Sequence, residues 1–210
     1  NIPDTLRLIG IMAQFLSEPI DNDNSNTSGN GQFLNLSYQE YINFYGTQDP
    51  RCDGFLVDRP PHNTVYFQNQ LEAVGKYYKN ISDDNLLYTA EIISNSNSHE
   101  NGYFTVSETM EYYARSDQRL AEFFTESLQL AKSDIESYFE SKSFTPDSVV
   151  FIVFHAGLSQ DFSYPSLDPT IYDLKSAYID EEMMQGVTPA FISDDSIYTG
   201  ILIPETQNII

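Results

Sequence analysis

Three histidines, one cysteine and 31 acidic side chains are the groups that chemistry in this 210-residue chain would have to use. A zinc hydrolase of the helical type needs His-Glu-x-x-His, two imidazoles one turn apart beside a general-base carboxylate. His62, His99 and His155 stand far apart, and His99-Glu100 is followed by Asn101, Gly102 and Tyr103, with no second histidine. Cys52 has no partner cysteine in the chain for a disulfide, and no Cys-His thiol motif surrounds it. A Gly-x-Ser-x-Gly elbow is absent. So is a phosphate-cradling glycine loop, since Gly157-Leu158-Ser159 lacks both the second glycine and a lysine. No complete catalytic constellation is present.

Two partial groupings remain. His155 ends an apolar run in the motif His155-Ala156-Gly157, with Asp161, Asp168 and Asp173 following it. Such a cluster can orient a ligand or a cation; alternatively His155 closes the strand end by hydrogen bonding to the loop that follows. Asp21, Asp23 and Ser25 alternate as calcium-loop ligands do, which makes calcium the cofactor to consider there. The sixth-place glycine of an EF-hand is missing, however, and Gln32 stands where its bidentate glutamate belongs. The plain alternative is a solvated loop.

The elements that must position these groups are legible from the hydrophobic pattern. Residues 149–154 (VVFIVF) form an unbroken β-branched and aromatic run, which suits a central strand covered on both faces. Strand ends of this kind are where open sheets place ligands. Residues 5–15 predict the first strand, with Gly10 marking a close approach by a neighbour. Residues 17–31 predict a loop, 38–45 carry aromatics without a clear period, and 49–61 predict another loop. A helix begins at Asn63 or Thr64 and buries Phe67, Leu71, Val74 and Tyr78. Residues 85–93 predict the second strand, and 94–102 a polar loop that holds His99. Thr105 with Glu108 predicts a capping box for a short helix over 110–113. A longer helix over 117–139 carries the stripe Leu120, Phe123, Phe124, Leu128, Ala131, Ile135, Tyr138 and Phe139. Proline then punctuates short apolar pieces at 177–179, 187–192 and 198–203, expected as edge strands or hairpin arms. The order predicts one α/β domain over 1–210: a mixed, largely parallel central sheet covered by helices, with short C-terminal edge strands.

Bulk properties narrow the partners. Ten Lys+Arg against 31 Asp+Glu give a formal net charge of -21, which repels nucleic acid and anionic membranes. The longest apolar run is too short to span a bilayer. Asn26, Asn35 and Asn80 each open a glycosylation sequon. Low lysine with abundant Tyr, Asn and Ser points to the cell exterior, and a chain beginning at Asn1 without a signal pattern is expected to be a processed or excised product. The C-terminal apolar strands are expected to offer open edges to a second chain or to a missing C-terminal segment.

Four phrases together resemble a known family: RCDGFLVDRPPHNTVYFQNQLEAVGKYYKNIS, TVSETMEYYA, VVFIVFHAGLSQDF and GILIPETQN. Their order and spacing are similar to the front part of immune-inhibitor-A-like secreted metalloproteases, a branch of the zincins. The resemblance implies a zincin-like N-terminal subdomain in which His155, Ala156 and Gly157 are the strand-end motif. In that family the zinc-binding helix lies downstream of an edge strand that GILIPET resembles. The 210 residues hold no such helix, so no zinc ligand or general base carries over. Zinc would enter only with ligands from a downstream segment. The resemblance thus implies a metalloprotease-like extracellular domain without the catalytic motif, and the alternative is a non-enzymatic structural or self-assembling subunit.

Overall fold

A computed structural model describes residues 4–19, 26–45, 59–98, 101–161 and 170–206. Asp21, Asp23, Ser25, Cys52, His99 and Asp168 lie outside the described residues, and the calcium-loop reading lies there with them. The hub of the main sheet is β1 (Asp4–Gln14). It pairs in parallel with β2 (Leu86–Ile93) on one side, and with both β3 (Phe104–Thr105) and β4 (Val150–Leu158) along its length. β5 (Ala177–Ile179) is antiparallel to β8 (Gly200–Thr206), which pairs in parallel with β4. The resulting order is β2-β1-β4-β8-β5. β6 (Ala190–Ile192) and β7 (Asp195–Ile197) form a separate hairpin. Its two-residue loop, Ser193-Asp194, has both φ angles positive, the turn that matches the twist of paired strands. The expected α/β class is the observed one, with a mixed, largely parallel sheet, flanking helices and short C-terminal strands.

The helices are α1 (Tyr38–Tyr45), α2 (Thr64–Ile81), α3 (Met110–Ala114) and α4 (Asp117–Lys142). Asn63 caps α2 by accepting from the N–H groups of Val65 and Tyr66, an arrangement that typically stabilises a helix by about 1 kcal/mol. α2 covers one face of the sheet: Phe67 meets Phe154 with ring centroids 4.6 Å apart, and a Cβ on Gly10 would lie 3.4 Å from Leu71. That same Cβ would sit 2.5 Å from Ile92 Cδ1, so the close approach expected at Gly10 is real. α4 covers the opposite face with a stripe that includes Leu120, Phe123, Phe124, Leu128, Ile135 and Phe139, all buried. Fully burying side chains of this size contributes about 1.5–3 kcal/mol each. A Cβ on Gly200 would lie 2.4 Å from the Phe124 ring, which shows how closely α4 approaches β8.

Three local readings are corrected, and one that the sequence leaves open is decided. Thr105 does not cap a helix: it lies in β3, where its Oγ1 accepts from Gln14 Nε2, and Thr109 caps α3 instead. Residues 38–45, aperiodic in sequence, are helical; Ser37 and Glu40 exchange hydrogen bonds in a capping box at the start of α1. Val74 and Tyr78 are exposed although Phe67 and Leu71 are buried. The reason is position, since β2 is the edge of the described sheet and the second half of α2 meets it mainly through the Tyr88 ring beneath Tyr78. Finally, the GILIPET strand is interior. β8 lies between β4 and β5, and the edge belongs to the three-residue β5.

Candidate functional site

The carboxyl ends of β4 and β8 hold the densest polar arrangement. In the β4–β8 register His155 faces Pro204 and Leu158 faces Thr206, so β4 carries one extra residue between these points. This bulge turns the Gly157 N–H out of the ladder and onto Glu205 Oε2, 2.9 Å away. Gly157 sits at φ +90°, and a Cβ there would lie 2.5 Å from Met110 Cε. Glycine is therefore required on two counts.

Glu205 is buried and accepts from three groups. His62 Nδ1 donates to its Oε1 at 2.6 Å, Leu34 N–H to the same oxygen at 2.6 Å, and Gly157 N–H to Oε2. The His62 backbone is fixed as well, its N–H donating to Leu34 O and its carbonyl accepting from Tyr103 Oη at 2.9 Å. Tyr66 stacks on the imidazole, centroids 4.3 Å apart. Burial, with the Glu205 charge adding to it, pushes the Tyr103 phenol far above its ordinary range, so it stays protonated and donates to the His62 carbonyl. A buried carboxylate demands such company, since an unpaired charge in this position would be expelled or neutralised.

On the other face of the same strand end, His155 is fully buried against Phe15 and Phe123, and Tyr113 packs on both of those rings. The imidazole lies 6.2 Å from Phe15 and 6.3 Å from Phe123. Nδ1 donates to Ala156 O at 3.1 Å, which leaves Nε2 as the bare nitrogen, buried and without a hydrogen-bond partner. Burial lowers its pKa to about 4, only partly opposed by the Ala156 carbonyl and the charge of Asp161.

The sequence candidates are thus only partly brought together. His155, Ala156 and Gly157 do form the strand end. Asp161 instead closes the following turn, its N–H on Ser159 Oγ and its Oδ1 accepting from Ser176 N–H. Asp173 accepts from Ser28 N–H at 2.6 Å, and Ser28 Oγ accepts from Leu158 N–H, which ties the loop at 26–32 to β4. Of the sequon asparagines, Asn35 and Asn80 are exposed, whereas Asn26 is half-buried and its carbonyl accepts from Tyr172 N–H. The pair that sequence reasoning missed is His62–Glu205, separated by 143 residues. Its one sequence signal is a lone carboxylate closing an apolar strand.

These residues do not fit a zinc ion. His62 is bound to Glu205 on the α2 face and His155 is walled in on the α4 face. Among the described residues no group of three His, Cys, Asp or Glu side chains is placed to hold a metal. A shallow groove of about 400 Å³ between α4 and the β6–β7 hairpin is lined by Val187, Pro189 and Phe191 with Glu122 and Glu126. It holds no reactive set, because Glu126 is engaged by Ser107 N–H and the Tyr113 hydroxyl. No described helix is long and apolar enough to cross a membrane. No protein-family model and no curated protein matches the chain.

Proposed function

We propose that the chain is a metalloprotease-like domain of a secreted protein that supplies scaffold rather than zinc chemistry. The observation that carries this reading is the strand end itself: His155-Ala156-Gly157 closes the central strand as a bulge beside β8, with no metal-holding set among the described residues. The places of the resembling phrases support it. The first runs into α2, TVSETMEYYA leads into α3, VVFIVFHAGLSQDF is β4 and its exit, and GILIPETQN begins with β8. Zinc, in this reading, comes with ligands from a segment beyond residue 210. The coding sequence that follows tests this, since a His-Glu-x-x-His there supports it and a stop codon ends it.

The purified 210-residue chain is expected not to hydrolyse casein with zinc added, because hydrolysis needs about three ligands, an open water position and a base. Chelator-sensitive cleavage with near one zinc per chain on elemental analysis would overturn the reading.

One observation favours a structural subunit as the second reading. Among the described strands β5 is an edge of three residues, and Tyr178 on it is 62% exposed. Unpaired edge N–H and C=O groups recruit another strand. In that case the chain sediments as an oligomer and Tyr178→Lys restores the monomer. A monomer at high concentration removes the second reading.

A further inference from the structure

The two faces of the sheet each carry a buried histidine at one level of β4 and β8. On the α4 face this is His155, with its bare Nε2; on the α2 face it is His62, bound to Glu205. Between them runs the bulge. There the N–H groups of Leu34 and Gly157 end on the Glu205 carboxylate, and that of Leu158 on Ser28 Oγ. Residues 28 and 34 are therefore held to the strand ends through side chains rather than through a strand ladder. We propose that this junction is an acid-sensitive latch: mild acidification releases residues 28–34 from the carboxyl ends of β4 and β8 while the β2-β1-β4 ladder stays closed.

The direction follows from the geometry. Since Nδ1–H is already donated to Ala156 O, an added proton can enter only at Nε2, among Phe15 and Phe123 and with no acceptor. The charged form finds water only when the strand end opens. The groups facing His155 do not relieve this. Asp161 favours the proton, though less than burial opposes it. Tyr113 of α3 and Glu126 of α4 are hydrogen-bonded to each other at 2.5 Å. The register neighbours from β1 and β8 are Ala13 and Pro204, which do not titrate. Around Glu205 stand His62, the Tyr66 ring from α2, and Tyr103, whose phenol stays protonated.

His155 is thus neutral in the closed latch at pH values where an opened one is charged. Closure has its full advantage above about pH 6.5 and loses it as pH falls towards about 4. Between pH 7 and pH 5 the opened population is expected to rise roughly twentyfold.

Hydrogen exchange on the ¹⁵N-labelled full chain tests this, with rates corrected for intrinsic pH dependence. Protection of the Leu34, Gly157 and Leu158 amides should fall about twentyfold from pH 7 to pH 5, while Ile9 and Ile11 in β1 hold theirs. His155→Leu, or His155→Phe if the leucine variant does not fold, should abolish most of that fall. The proposal is overturned if the three amides change less than threefold, if β1 loses protection in step with them, or if the variants keep the full response.

Discussion

Glu205→Ala should destabilise the protein by about 3–5 kcal/mol, the range found when one partner of a buried charged pair is removed. The deletion strands the buried His62 Nδ1–H and the part-buried N–H groups of Leu34 and Gly157. Each unsatisfied buried donor costs about 1–3 kcal/mol, so the effect is one of exposure to nothing rather than of a lost attraction. Glu205→Gln should cost less, because the amide keeps the shape and one oxygen acceptor while its NH₂ opposes one donor. The measurement is the urea midpoint followed by circular dichroism, with the alanine and glutamine variants beside the parent. A loss below about 1 kcal/mol for the alanine variant would mean that water replaces the carboxylate readily, and that the site is not closed. The double variant His62→Phe with Glu205→Leu should recover part of the loss, since a matched apolar pair leaves only the two backbone donors unmet.

Phe123→Ala should cost a similar amount, about 3–5 kcal/mol, for a different reason. Its ring is fully buried and is the common member of the nest. Phe15 lies 5.0 Å from it, Tyr113 5.3 Å and His155 6.3 Å. Truncation leaves a cavity that α4 cannot close without losing Phe124 and Leu120 from the sheet. Phe191→Ala, on the exposed face of the hairpin, is the control and should stay within about 0.5 kcal/mol of the parent. Domain stabilities lie at about 5–15 kcal/mol, so the Phe123 variant should approach the limit of folding at 37 °C. Equal midpoints for the two phenylalanine variants would refute the nest as the anchor of α4.

Elements governed by long, one-sided patterns were legible in the sequence. The apolar run at 149–154, the stripe from Leu120 to Phe139 and the cap at Asn63 each announce their structure locally, because burial on one face imposes its period on the residues. Elements decided by neighbours were not. Tyr38 to Tyr45 lacks a period, and its helix rests on the Ser37–Glu40 exchange and on Arg59, which lies 3.5 Å above the Tyr38 ring. Thr105 and Glu108 have the spacing of a capping box, but pairing of Thr105 with Gln14 in the sheet outweighs it. Val74 and Tyr78 keep helical spacing, yet the edge position of β2 leaves them uncovered.

The strand-end motif was visible from its residue types; its environment was not. His155 reads as a polar group at the edge of a loop, whereas the Phe15 and Phe123 rings, from β1's exit and α4, close over it. The Glu205–His62 contact joins positions 143 residues apart, and no local pattern encodes a pairing of that range.

The strand order also constrains how the molecule is made. β5 is synthesised before β8, yet among the described residues β8 is its only partner in the sheet. While the ribosome has delivered the chain through Ile197, β4 presents an unpaired apolar edge and β5 has nothing to join. That interval is when a nascent copy is most open to pairing with another. Completion of the sheet therefore rests on a seven-residue strand entering between β4 and β5 after both have been made, and a chaperone that shields the β4 edge would act before that step.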